Sequence, residues 1–344
     1  QNRAQMSDQQ RFRTQDNPLS FRMATKYGHG GGLSLRDPNA AAAGEALEDI
    51  ARNDPRVVLL TADLGFGVLE GFARDFPDRF FNVGVAEANM AGLATGLAEA
   101  GYIPFMYSIA TFAALRPYEQ LRNGPGLHHF PARLVGVGGG FEYGSNGLTH
   151  AALEDYGVLR LQPAIQIFVP ADDAQAANAL HTTYDAPGPI YYRISKREGL
   201  HIPALGGRFH PDRAECVLDG EDALILSIGA ITDEALAAAE LLHDEGIRPT
   251  VAVVSSLNPG PNEDLKALLT RFPVALTVEA HYASGGLGSV VAELIADNGI
   301  GCRLHRCGVS DAPDALSGSE THLNNRHGID RTSIARTLRE SPGL

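Results

Sequence analysis

The sequence predicts an α/β protein of two doubly wound domains, the first on a mostly parallel sheet. Two observations carry this expectation. Short apolar runs rich in β-formers (VVLLT, IPFMYS, RLVGV, IQIFV and IYYRI) alternate with helix-length stretches of Ala, Leu and Glu, the pattern of strands buried on both faces by crossover helices. The alternation stops over residues 198–220, where Pro, Gly and charge replace any period, and then resumes. That interruption reads as a connection between two such units.

Taken in order, residues 1–35 are polar, lack an apolar period and finish in a Gly run, so a flexible leader is expected there. The first domain is set at 36–200. Within it AAAAGEALEDIAR reads as a helix and VVLLTADLG (57–65) as a buried strand opening into a Gly loop. VAEANMAGLATGLAEAG (85–101) reads as a helix apolar on nearly every face, and TFAALRPYEQLRN (111–123) as a helix around Pro117. THAALEDYGVLRL (149–161) and DDAQAANALHTTY (172–184) are further expected helices. A linker is set at 201–214 and a second domain at 215–344. There ALILSIG, PTVAVVS, VALTVEA and CRLHRCGV read as strands between helices such as DEALAAAELLHDEG and GLGSVVAELIADNG.

Bulk properties narrow the function classes. The 344 residues carry a formal net charge of −13, which argues against a nucleic-acid partner and against an anionic membrane surface. No run approaches the roughly 18 apolar residues of a membrane span, and no signal peptide opens the chain. Cys216, Cys302 and Cys307 lack zinc-ligand spacing and read as reduced. The expectation is a cytoplasmic enzyme with no metal site of its own. The His128–His129 pair has no third ligand in evident reach, and His281 reads as structural.

Three places could carry chemistry. Glu87 lies in NVGVAEANMAGLATGLAEAG, where its neighbours over two turns are small or apolar. It is either a first-turn Glu with its head in water or a carboxyl held against an apolar pocket to exchange a proton with a bound ring. Tyr107, Phe112 and Tyr118 in YSIATFAALRPYEQLR are either core or a stacking wall for a planar heterocycle. His150 in GSNGLTHAALEDYG follows a Gly-rich approach and is expected at the start of a helix.

In this order, ADLG, NVGVAEANMAG, YSIATF, GSNGLTH and IQIFVPAD resemble the succession of motifs in the transketolase superfamily's pyrimidine-binding domain. TVEAHYASGGLGS and GVSDAPDALSG are similar to its C-terminal domain, so the resemblance covers roughly residues 40–340. It implies thiamine diphosphate as cofactor. Glu87 falls on the glutamate that hydrogen-bonds N1′ of the aminopyrimidine and favours the tautomer that activates the thiazolium carbon. Phe112 and Tyr118 fall on residues packed against the pyrimidine, and Asp63 and Leu64 on residues beside the thiazolium. His150 falls on a histidine facing the substrate, Asn146 on a residue contacting a sugar hydroxyl, and Arg193 on an arginine at the substrate's far end.

The family binds the diphosphate through Mg2+ or another divalent cation at a GDG signature with a downstream Asn. The sequence contains no GDG. The resemblance therefore implies a partner chain, an N-terminal transketolase subunit carrying that motif and cation, in an α2β2 assembly.

Two departures from the family pattern bear on substrate. Asn146 stands where transketolases usually have Asp, and GVGGG runs through the place where many carry a phosphate-binding His, near Gly138. A specialised two-carbon transfer is thereby expected, with a donor or acceptor other than the ordinary pentose phosphates. Two alternatives stay open: the β subunit of a 2-oxo-acid dehydrogenase E1 component, and a non-catalytic partner subunit.

Overall fold

The computed structural model describes residues 38–342, Glu198 and Asp314 excepted. The leader expected over 1–35 lies outside the described residues. The strands are β1 (Val57–Thr61), β2 (Phe80–Asn82), β3 (Ile103–Ile109), β4 (Arg133–Val137), β5 (Gln166–Phe168), β6 (Ile190–Ile194) and β7 (Ala214–Leu218). They continue with β8 (Ala223–Ile228), β9 (Pro249–Val254), β10 (Ser256–Asn258), β11 (Val274–Tyr282) and β12 (Arg303–Val309). A seven-stranded sheet runs β10-β5-β6-β4-β3-β1-β2 and a five-stranded sheet runs β12-β11-β8-β9-β7. Every pair in the first is parallel except β10–β5, and every pair in the second except β7–β9. The expected α/β class of two mostly parallel doubly wound units is the architecture present.

The inner parallel strands are buried because helices cover both faces, whereas the edge strands β2 and β12 are partly exposed. All seven residues of β3 and all five of β1, β4 and β6 are buried. The antiparallel strands lie at edges, where a reversed strand needs no crossover. One of them, β10, follows β9 directly in the chain yet pairs with β5, so the second half of the chain completes the first sheet. A single apolar cluster runs through both halves, joining Leu134, Tyr156 and Ile167 to Leu226, Leu257 and Leu287.

Three local expectations are corrected. The helix expected over 149–161 is absent as such. The chain makes two 3-10 turns, Gly144–Asn146 and Leu148–His150, and becomes helical only at Asp155–Leu159. The cause is tertiary: Ala152 pairs its backbone N–H and C=O with Gly140, both at 2.9 Å, and its carbonyl also accepts from Arg193. Those bonds outweigh the helix propensity of THAAL. His150 consequently ends a 3-10 turn and does not begin a helix. The helix expected over 111–123 divides at Pro117 into Ala110–Leu115 and Tyr118–Leu121, since proline removes a donor and crowds the preceding turn. The helix Glu87–Glu99 is apolar on nearly every face as expected, yet only one side is buried, and Gly92, Leu93 and Gly96 are exposed with Asn89.

The expected linker 201–214 packs closely. Ile202 and Leu205 are buried with Ala171 and Val253, and the Phe209 ring meets Phe168 edge-on at 5.2 Å. Cys302 and Cys307 are buried, Cys216 is exposed, and all three are free thiols. Among the described residues no helix is long and apolar enough to cross a membrane, and no group of His, Cys, Asp and Glu is disposed to hold a metal ion.

Candidate active site

In the first sheet the chain leaves β1 for β2 on one side, then returns to β3 on the other. The connections leaving the carboxyl ends of β1 and β3 therefore run in opposite directions, the switch point at which open parallel sheets bind ligands. Asp63 and Leu64 follow β1 at this edge. Asp63 has φ 60° and is locked by Asn82, which accepts from the Asp63 N–H at 3.1 Å and donates to its carboxylate at 2.9 Å. The same Asn82 oxygen accepts from Gly84 N–H at 3.0 Å. Asn82 thus ties the β1 loop to the turn that launches Glu87. Sequence reading passed over Asn82, although an Asn closing a strand before Val-Gly is a turn signal. The Leu64 N–H and C=O both bond the Thr61 hydroxyl.

Glu87 opens its helix and is 2% exposed. Its two oxygens accept from Arg116 Nη1 at 2.9 and 2.8 Å, and one accepts from the Ser108 hydroxyl at 3.2 Å. The reading with its head in water is thereby excluded. Ser108 comes from the end of β3 and Arg116 from the chain just past the helix beginning at Ala110. The Arg116 guanidinium carbon also lies 3.9 Å from the Phe112 ring centroid. On the same ring the His150 imidazole packs edge-on, centroids 5.1 Å apart. Glu87, Arg116, Phe112 and His150 therefore form one contiguous group. Arg116 was not singled out in the sequence, yet two signals pointed to it: a carboxylate among apolar neighbours needs a cation, and Phe112 and Arg116 stand four apart on one helical face.

The remaining candidates divide. Asn146 is exposed in its 3-10 turn and accepts from Ser145 Oγ at 3.2 Å. Tyr118 packs half-buried against the core while its hydroxyl accepts from Gln162 at 2.6 Å. Arg193 is 5% exposed. Its Nη2 donates to the Ala152 and Ala280 carbonyls at 2.7 and 2.8 Å, its Nε lies 3.1 Å from Asp155, and its guanidinium sits 4.8 Å from the Tyr156 ring centroid. Burial alone would lower its pKa, but Asp155 and the neighbouring phenols hold it above the ordinary value. This cation joins the two halves of the chain and also lines a small cavity with Gly139, Glu142 and Ser195.

Two residues beyond the end of β6, Lys196 presents a different cation at the same sheet edge. Its ammonium lies 4.1 Å from the centroid of the Tyr143 ring. That ring fills the space at Gly138 (φ +79°), where an added Cβ would stand 2.2 Å from it. A side chain at 138 is thus excluded sterically as well as by backbone conformation. Lys196 N–H donates to Glu142 at 2.6 Å. Burial, with the Glu320 carboxyl beside it, pushes Glu142 up to about 8 from 4.5.

A carboxyl raised on folding contributes stability below its unfolded pKa and loses it as pH rises through the folded one. Wild type is therefore expected to lose thermal stability between about pH 4.5 and 8 relative to Glu142→Gln. Melting temperatures of both across that range check this; parallel curves would refute it.

In the second half, Glu279 is fully buried and accepts from Leu287 and Gly288 N–H, each at 2.8 Å, and from the Tyr156 hydroxyl at 3.1 Å. His281 stacks on Tyr156 with centroids 4.0 Å apart, and burial lowers it to about 4. It accepts from Gly157 N–H and is neutral, as a structural residue should be.

The structure thus sets a buried carboxylate, bound by a flat nitrogen cation against an aromatic face, at the switch point of a parallel sheet. Comparisons with known proteins give the family. Residues 38–200 match the family model "Transketolase, pyrimidine binding domain" and residues 212–334 match "Transketolase, C-terminal domain". The chain belongs to the transketolase family, as the section that carries these two domains. A putative transketolase C-terminal section from Methanocaldococcus jannaschii is 34% identical over 86% of this chain and 94% of its own length. A 6-deoxy-6-sulfo-D-fructose transketolase subunit from Clostridium sp. is 33% identical over 86% of this chain and 92% of its own. A split-gene transketolase solved as an inactive β4 tetramer superposes with a TM-score of 0.78, at 32% identity over 90% of this chain and 98% of that one.

Proposed function

We propose that this chain is the pyrimidine-binding subunit of a split, thiamine-diphosphate-dependent transferase that moves a two-carbon unit from a ketone donor to a carbonyl acceptor. The observation that carries the reading is Glu87, a carboxylate 2% exposed with a flat cation bound to it over Phe112. A protonated aminopyrimidine offers that cradle the same chemistry, a planar N–H donor on an aromatic face, so the residues present fit the group. When bound, the cofactor supplies the nucleophilic carbon that a protein side chain cannot.

The chain's own residues supply position and proton control. Glu87 holds a proton at the pyrimidine nitrogen and sets which tautomer is favoured; Ser108 fixes the carboxylate's rotamer. Phe112 provides the stacking face, and Asp63 and Leu64 line the edge beyond it. His150, braced by Thr149 at 3.0 Å, faces the substrate oxygen with Asn146 beside it. Arg193, which lines a small cavity with Gly139, Glu142 and Ser195, is the cation toward the substrate's far end, and Lys196 stands at the same end of the sheet.

The diphosphate and its divalent cation belong to a partner chain in an α2β2 assembly. Relatives of this chain named as subunits or sections support that reading. So do Phe66 (73% exposed) and Val85 (69% exposed), apolar side chains in the loops beside the site that a partner would cover. The substrates for which two relatives are named, a sulfo-fructose and apulose-4-phosphate, support an unusual sugar over the ordinary pentose phosphates.

Co-expression with a GDG-bearing partner tests the reading. Two-carbon transfer and cofactor binding are expected only from the pair. Tight binding and turnover by the purified chain alone would remove the need for the partner. Ordinary efficiency with xylulose 5-phosphate and ribose 5-phosphate would remove the specialised substrate, and oxidation of a 2-oxo acid with an artificial acceptor would favour the E1 β alternative.

A further inference from the structure

We infer that Arg116 is a displaceable occupant of the aminopyrimidine site, a built-in stand-in that the cofactor must dislodge; this rests on the thiamine-diphosphate reading above. Glu87 has two buried acceptor oxygens, and Arg116 Nη1 engages both, at 2.9 and 2.8 Å. The Arg116 guanidinium carbon is 3.9 Å from the Phe112 ring centroid, a stacking separation. A planar group that is to stack on Phe112 and donate to Glu87 meets both positions already taken by a planar group that does so.

The arrangement has a physical reason in a divided site. A carboxylate 2% exposed cannot be left unpaired while cofactor and partner are absent, since an uncompensated buried charge is strongly destabilising. Arg116 meets that need and is free to leave. Its side chain is 43% exposed against 2% for Glu87, and its long flexible stem lets the guanidinium reach water without moving the backbone. The Ser108 hydroxyl stays with the carboxylate when the arginine departs. Binding then runs through a minor, arginine-out population. If that population is roughly one-tenth, the apparent Kd is about tenfold weaker than the intrinsic one.

The test uses the assembled enzyme, this chain with its diphosphate-binding partner. Thiamine diphosphate is titrated by calorimetry and by near-ultraviolet circular dichroism of the bound cofactor. Arg116→Met keeps an apolar stem on Phe112 but removes the competing plane and charge, and is expected to tighten the apparent Kd about tenfold. Arg116→Lys keeps Glu87 paired, so it avoids orphaning the carboxylate; it is expected to tighten binding severalfold, because an ammonium does not hold both oxygens and the ring face at once. Unchanged or weakened affinity in both variants overturns the inference. Glu87→Gln, alone and combined with Arg116→Met, separates the two levels in the same titration. If the double variant binds as Arg116→Met alone does, Glu87 does not meet the cofactor and the underlying reading falls. If Glu87→Gln binds weakly while the Arg116 variants are unchanged, the displacement idea alone falls.

Discussion

Glu87→Gln is expected to lower turnover of the assembled enzyme by about 10²- to 10⁴-fold while leaving the fold in place. The amide keeps the size of the carboxylate and still accepts from Ser108, so the site retains its shape. It cannot exchange a proton at neutral pH, and control of the pyrimidine tautomer is lost with that exchange. The effect on stability is small by comparison. Arg116, 43% exposed, turns to water when its partner becomes neutral, and the buried amide is less costly than a buried charge. The measurement is steady-state turnover at saturating cofactor beside a melting curve of the same preparation. Turnover within a few-fold of wild type would refute the role; a collapsed melting curve would show that the residue is a structural one.

This site was partly legible in the sequence. A carboxylate among small neighbours, a Phe four residues before an Arg, and a Gly-framed His are local patterns, and the structure gathers Glu87, Phe112 and His150 into one group. The parallel-sheet class was legible for the same reason: strands buried on both faces are apolar throughout, and the crossover helices between them are periodic.

What escaped depends on contacts far apart in the chain. THAAL has a helical composition, but Ala152 is drawn into a bridge with Gly140 and bonded by Arg193, 41 residues away. Nothing near position 193 reveals that its guanidinium ends on the carbonyls of Ala152 and Ala280. The strand β10 is three residues long and pairs with a segment some 90 residues earlier. A run that short has too few side chains to display a period. The identity of the substrate was illegible in a stronger sense, because an Asn such as Asn146 specifies polarity alone.

The second large effect is expected in stability, at Glu279. This carboxylate is fully buried within β11 and caps the helix Leu287–Asn298 by accepting from its first N–H groups. Burial raises its pKa while those two N–H groups and the Tyr156 hydroxyl hold it down. Tyr156 belongs to the first half of the chain, so one side chain caps a helix of the second and anchors the first. The packing leaves no room for a substitute partner: a Cβ at Gly286 would stand 1.9 Å from the Glu279 oxygen. Glu279→Ala orphans two N–H groups and a hydroxyl and opens a cavity, which together cost about 3–5 kcal/mol. Glu279→Gln keeps the volume and one acceptor but turns an amide N–H toward backbone donors, and about 1–2 kcal/mol is expected. Denaturant unfolding of the two variants and wild type reads both values. The same ranking should appear in heat inactivation of the assembled enzyme, while turnover below the melting range stays near wild type, since Glu279 lies in none of the contacts that join Glu87, Arg116, Phe112 and His150. An alanine variant as stable as wild type would mean that the two halves are held by their shared apolar cluster alone.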